Sequence, residues 1–150
     1  MTFLTNAYSF GISANCRINK SSVECLLSQQ SDELLTLSDN LLAYKKGLVA
    51  SKQFHEFDML NSESDVISMH RELIQSYSTY LNLRTLITDK KNLIYANEVV
   101  NEERVHIVNM IDICLSEHNS NFQLLKFPQS REYILKSIDL LNKSKSILSK

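Results

Sequence analysis

Apolar side chains recur along most of this chain at alternating steps of three and four residues, the pattern of α-helices that bury one face. The first stripe follows Ser21, and Glu24 lies three residues further on, which is the spacing of a capping box that starts a helix. Within this stripe, leucines repeat every seven residues: Leu27, Leu34, Leu41 and Leu48. A parallel flanking strip contains Leu35, Leu42 and Val49. A face this wide favours packing against two or more helices.

Similar stripes predict further helices along the rest of the chain. One begins near Ser62 and Asp65, which repeat the capping spacing, and another resumes after a polar run at 88–92. A polar cluster at 117–121 ends that third stripe. Pro128 then predicts the start of the last helix, because its missing N–H needs no partner there. We therefore predict an all-α fold, an antiparallel bundle of about four long helices.

The stripes also divide the chain. Residues 1–20 are weakly periodic, and we predict a partly extended or disordered N-terminal arm followed by one helical domain over residues 21–150. Gly47 lies near the end of the first stripe, where it predicts either the helix end or a bend. A boundary between the second and third helices is predicted near 89–92.

Composition narrows the possible functions. The chain has two glycines and one proline, where average usage would supply roughly ten and seven. Neither glycine stands in a phosphate-binding loop, a nucleophile elbow or a calcium-binding loop, all of which need glycine at fixed positions. The composition therefore argues against nucleotide-binding, α/β-hydrolase and EF-hand functions.

Charge is nearly balanced overall but unevenly distributed. The formal net charge is −1, which gives no general reason to bind nucleic acid. Residues 31–65 carry seven acidic and three basic side chains, whereas residues 128–150 carry two acidic and five basic ones. We expect solvated helix faces of differing sign; the alternatives are that the acidic segment pairs with the basic one or guides a partner.

The three cysteines are too few and too irregularly spaced for a disulfide scaffold or a zinc knuckle. Free thiols in a reducing compartment fit best, and we predict a cytoplasmic location. No apolar run approaches the length of a membrane-spanning helix, so no membrane contact is expected.

One motif has the spacing of metal ligands. Glu103 and His106 form an E-x-x-H pair, which in di-iron bundles places two ligands on one helix face. Such sites need a second pair, and neither His70 nor His118 has a glutamate three residues before it. We therefore expect no metal, no cofactor and no catalytic residue. A helical metal protein or enzyme centred on Glu103 and His106 is the alternative.

The function that these observations favour is a non-enzymatic, stoichiometric protein-binding module of an adaptor, chaperone, immunity or regulatory type. The partner is another protein, and a homodimer through the leucine stripe is an additional hypothesis. A nucleic-acid-associated regulator that uses Lys136, Lys143 and Lys145 is a further alternative, although no nucleic acid is expected. The predicted partner-binding residues are Leu27, Leu34, Leu41, Leu48, Phe54, His55 and Phe57.

Overall fold

The computed structural model of the protein describes Cys16 and residues 19–150. Nearly all of this part of the chain belongs to four helices, and it contains no strand: α1 (Val23–Ala50), α2 (Phe54–Thr85), α3 (Lys90–Phe122) and α4 (Pro128–Leu148). Consecutive helices pack side by side, α4 closes against α1, and a diagonal contact joins α2 to α4. The predicted all-α antiparallel bundle is confirmed. Most of the predicted arm lies outside the described residues.

The core of the bundle follows a seven-residue repeat on every helix. Apolar side chains at this spacing pack as knobs into holes of neighbouring helices, as in coiled coils. The repeating residues are all buried: Leu27, Leu34, Leu41 and Leu48 on α1; Leu60, Ile67, Ile74 and Leu81 on α2; Val100, Ile107 and Cys114 on α3; and Ile134, Leu141 and Leu148 on α4. The leucine stripe predicted on the first helix is thus one quarter of a shared core.

The first helix begins one residue later than the capping pattern predicts. The N-cap is Ser22, whose hydroxyl accepts a hydrogen bond from the backbone N–H of Cys25 at 3.2 Å. Ser21 instead binds the side chain of Asn19 through both its N–H and its hydroxyl. Two adjacent serines offer the same cap, and the backbone of Ser22 has the extended conformation that an N-cap needs.

The turn between α1 and α2 combines a helical glycine with a strained lysine. The helix ends at Ala50, three residues after Gly47, as predicted. Lys52 has a positive φ of 59°, and the following residue, Gln53, donates its N–H to the carbonyl of Leu48 at 2.8 Å. A residue with this left-handed backbone conformation commonly follows the C-cap of a helix, and it is usually glycine.

The predicted start of the second helix near Ser62 is wrong, because α2 begins at Phe54. The hydroxyl of Ser64 binds the carbonyl of Leu60 one turn earlier, at 3.2 Å, within a continuous helix. Glu63 points into the core and is 3% exposed. Ser62 and Asp65, whose spacing resembles a cap, are exposed residues within this helix.

Of the three remaining boundaries, two agree with the sequence pattern and one does not. Helices α2 and α3 are separate, and Asp89 caps α3 by accepting a hydrogen bond from the N–H of Asn92 at 2.9 Å. Pro128 is the first residue of α4. The third helix continues to Phe122, through the polar cluster that was predicted to end it.

The cysteines differ from expectation. Cys16 and Cys25 form a disulfide, so the prediction of three free thiols is wrong for these two. Cys114 is free and buried, and burial raises the pKa of its thiol, which makes it a poor nucleophile. None of the helices in the described part of the chain combines the length and apolar character needed to cross a bilayer.

Two substitutions around the α1–α2 turn should raise stability. A β-carbon at Gly47 would meet no atom within 4 Å, so Gly47→Ala should increase the free energy of unfolding by about 0.5–1 kcal/mol. Lys52→Gly should increase the free energy of unfolding by about 1 kcal/mol, because glycine adopts the left-handed backbone conformation without the steric cost that lysine has there. Urea unfolding of each single variant and of the pair tests this. A loss of stability in Gly47→Ala would contradict the open helical position described above.

Candidate functional site

A second seven-residue repeat on α2 is polar rather than apolar. Glu56, Glu63, His70 and Tyr77 are spaced at intervals of seven and are all buried, with exposed fractions of 5% or less. Charged and imidazole groups are rarely this deep unless they are paired. The interior of the bundle therefore contains ionisable side chains that must find partners there.

The fourth helix carries the matching repeat. Ser130, Ser137 and Ser144 are fully buried and seven residues apart. Each hydroxyl lies within hydrogen-bond distance of a different helix: Ser130 Oγ to Tyr44 Oη of α1 at 3.0 Å, Ser137 Oγ to His118 Nε2 of α3 at 3.4 Å, and Ser144 Oγ to His70 Nε2 of α2 at 2.8 Å. Small side chains that carry a hydroxyl thus tie α4 to all three of its companions.

One of these contacts extends into a three-residue chain. The Nδ1 atom of His118 lies 3.0 Å from Glu63 Oε2, while its Nε2 faces Ser137. Carboxylate, imidazole and hydroxyl in this order are the arrangement that activates serine in hydrolases. This chain of contacts has no signature in the sequence, because the three residues lie on three different helices.

The environment of this chain of contacts does not support catalysis. Glu63, His118 and Ser137 have exposed fractions of 3%, 2% and 0%, and none of them lines the grooves found on the described surface. Ser137 also lies inside α4, where backbone N–H groups bind carbonyls one turn earlier and leave no oxyanion donors. We interpret the arrangement as a buried structural network.

A second buried network surrounds His70. Its Nε2 faces Ser144, whose hydroxyl also donates to Gln30 Oε1 at 3.4 Å. Burial, with a further contribution from the nearby His118, lowers the pKa of His70 from 6.5 to about 4. His70 is therefore neutral near pH 7 and serves the core, as its position on the apolar stripe suggests.

The predicted partner-binding residues divide into two groups. Leu27, Leu34, Leu41 and Leu48 are at most 5% exposed, so the folded chain presents none of them to a partner or a second copy. Phe54 is 57% exposed. Phe57 is half-buried beneath the ammonium group of Lys45, and His55 Nε2 lies 3.3 Å from the carbonyl of Leu124.

The E-x-x-H pair lies at the surface of α3. Glu103 is partly exposed and His106 is exposed. Among the residues that the structure describes, no three His, Cys, Asp or Glu side chains cluster closely enough to hold a metal ion.

Each of the lysines considered for nucleic-acid binding contacts a carboxylate. Lys136 lies 2.8 Å from Glu132, Lys143 lies 2.9 Å from Asp139, and Lys145 lies 2.6 Å from Asp112. These pairs raise the pKa of Lys136 and Lys143. Local neutralisation leaves little of the strongly basic face that phosphate backbones require.

A groove of about 990 Å³ runs between α1 and α4 on the outside of the bundle. Leu37 and Leu140 are buried along it, and the rings of Tyr44 and Tyr133 stack in it with centroids 5.3 Å apart. Leu135 also lines the groove and is 52% exposed. The groove has no signature in the sequence, because it joins helices at opposite ends of the chain.

Carboxylates dominate the charged residues of the groove. Four acidic side chains and one lysine line it: Asp32, Glu33, Glu132, Asp139 and Lys136. Lys143, beside the groove, lies 3.7 Å from Glu33. Two lysines therefore contact three of the four carboxylates, and the groove retains an excess of negative charge.

Comparison with protein-family models, curated proteins and solved structures found no significant match. The function proposed below therefore rests on the chemistry of the residues themselves.

Acid should destabilise the bundle through His70. Because its pKa is near 4 in the folded chain and 6.5 in the unfolded one, the unfolded chain binds more protons between these values, and stability falls as the pH drops through them. The free energy of unfolding should fall by about 3 kcal/mol as the pH drops through this range, and it should be at its full value above pH 6.5. Urea unfolding across this range should show a weaker pH dependence in His70→Gln. Identical profiles for the two proteins would contradict the assignment.

The Glu63–His118 contact should show strong energetic coupling. Glu63→Leu or His118→Leu alone leaves a buried polar partner unpaired, and each should cost about 3 kcal/mol. The double variant removes both polar groups and should cost less than the sum by about 1 kcal/mol or more. Thermal unfolding of the four proteins in the cycle measures this coupling. Strictly additive losses would mean that the two side chains do not interact.

Proposed function

We propose that this protein is a non-enzymatic, stoichiometric binding module that receives an amphipathic helix of another protein in the α1–α4 groove. The groove itself is the observation that carries the proposal. It lies between two long helices, and its α1 side runs from Asp32 to Tyr44, a length of about 18 Å at 1.5 Å per residue. That length suits three turns of a partner helix.

The lining suits the two faces of such a helix. Stacked tyrosines and buried leucines offer an apolar floor, and helix-in-groove recognition depends on apolar side chains that enter a floor of this kind. Aromatic residues also contribute strongly to protein interfaces, since their rings bury a large area at a low entropic cost.

Electrostatics specify the partner further. The excess of carboxylates favours a helix with basic side chains along the edges of its apolar face. The acidic segment 31–65 would attract a basic partner helix in the same way. Of the charged residues in that segment, Asp32 and Glu33 line the groove. Binding of this kind weakens as salt concentration rises.

The alternatives have less support from the described residues. The serine–histidine–glutamate network is closed to substrates, and Glu103 and His106 have no further ligands beside them. The lysines of α4 contact carboxylates. A cytoplasmic location stays a prediction, whereas the Cys16–Cys25 disulfide is typical of oxidising compartments.

Affinity capture with a matched pair of variants tests the proposal. Leu135 in the groove and Ile113 on α3 are both 52% exposed, so changing either to Glu adds the same charge at the same exposure. Wild type and Ile113→Glu should retain one specific protein from cells of the native host. Leu135→Glu should lose it, with an affinity reduced about tenfold or more.

Calorimetry with the captured partner should then give one partner per groove and an affinity that falls with added salt. Equal retention by all three proteins would place the interaction outside the groove. Turnover of a substrate by the purified protein would overturn the non-enzymatic proposal.

A further inference from the structure

A different face of α1 carries a second set of evenly spaced apolar residues. Leu35, Leu42 and Val49 are seven residues apart and remain 43%, 52% and 44% exposed. Leu42 and Val49 line a shallow groove of about 280 Å³ together with Phe57 of α2. We call these three α1 residues the outer strip. None of them lines the α1–α4 groove.

Two opposite charges flank the outer strip. Asp39 and Lys46 are exposed and also seven residues apart, so they follow the same edge of the helix. Within the described part of the chain, neither side chain takes part in an ion pair. The edge therefore has a negative end and a positive end that are both free to meet another charged group.

This arrangement is complementary to itself. If a second α1 lies antiparallel with Leu42 at the centre, Leu42 meets its own counterpart and Leu35 meets Val49 on both sides of the two-fold axis. The same register places Asp39 opposite Lys46 twice, because the sum of their numbers differs by only one from that of the apolar pair. A contact in which the same patch serves both subunits is the usual form of a homodimer.

The alternative orientation lacks this match. In a parallel pair related by an axis along the helices, the edge that carries Asp39 and Lys46 would face the opposite edge of the partner helix, so these two charges would not meet. The charges therefore select the antiparallel arrangement.

We propose that the outer strip of α1 binds a second copy of this chain, forming an antiparallel two-fold dimer centred on Leu42. The dimer differs from one built on the leucine stripe, whose members are buried within each subunit. It is also a separate proposal from that of the function, because the outer strip shares no residue with the α1–α4 groove.

The interface is small. Three half-exposed side chains and the neighbouring Phe57 place it among weak and transient contacts, which bury less than about 1,200 Å² in total. A dissociation constant in the micromolar range is therefore expected, and the dimer should be visible only in a concentration series.

Sedimentation equilibrium of the full chain over such a series provides the first test. The average mass of wild type should rise from monomer toward dimer with concentration. Leu42→Glu should raise the dissociation constant about tenfold or more, whereas Ile113→Glu should leave it unchanged. Circular dichroism and thermal melting of each variant confirm that it folds. A wild-type chain that is monomeric up to about 1 mM, far above the expected range, overturns the proposal.

A charge exchange tests the orientation. Asp39→Lys should weaken the dimer by placing like charges opposite each other twice, and the double variant Asp39→Lys, Lys46→Asp should restore it. Failure of the double variant to recover would exclude the antiparallel register.

A symmetric cross-link gives a readout that does not depend on affinity. On mild oxidation, Leu42→Cys should form a covalent dimer rapidly, because the two copies of residue 42 meet on the axis, whereas Ile113→Cys should not. Equal cross-linking of the two variants would indicate random collision and contradict the proposed axis. Loss of dimer formation in Leu42→Glu with intact partner capture, or the reverse in Leu135→Glu, separates this proposal from that of the groove.

Discussion

The spacing of three buried serines on the last helix governs how the four helices fit together. Ser130, Ser137 and Ser144 each reach a group on a different companion helix, at distances between 2.8 and 3.4 Å. Their side chains are short, so these contacts form only where α4 packs closely against its neighbours. A shift of α4 by one residue would turn all three hydroxyls away at once, because successive residues on a helix point about 100° apart. The polar contacts therefore define the register of a core that is otherwise leucine and isoleucine.

Buried polar groups carry a cost that this bundle does not fully offset. Glu56 accepts a hydrogen bond from the N–H of Lys126 through one oxygen, while its other oxygen, one oxygen of Glu63 and Nδ1 of His70 have no partner among the described residues. Replacing buried polar groups by apolar ones of similar volume is often neutral or stabilising, and in some bundles it loosens the choice of register. Polar side chains that find hydrogen-bond partners in only one arrangement of the helices favour a single fold. His70, which is one of them, makes the stability of that fold depend on pH.

Both proposed interaction surfaces lie on α1. This helix faces outward on two sides: toward α4 it contributes to the acidic groove, and beside α2 it presents the outer strip. The proposed partner site and the proposed dimer axis therefore lie on one rigid element but not on the same residues. A dimer with two grooves would bind a two-fold partner, or two linked helices, more tightly than one groove alone, since the second contact is intramolecular.

The sequence by itself determined the number and type of helices, since a period of three and four residues with almost no glycine or proline permits little else. It also placed Gly47 near the end of α1 and Pro128 at the start of α4, because backbone preferences act locally. It placed the start of α2 wrongly at Ser62, since a serine followed three residues later by an acid occurs on exposed faces inside helices as well as at their N-termini. Only the tertiary structure decided that Glu63, His118 and Ser137 meet, that the leucine stripe is internal and that Leu37 and Leu140 share a groove. Those outcomes depend on which helices become neighbours, and contacts between residues that lie from 19 to about a hundred positions apart leave no mark in the local pattern.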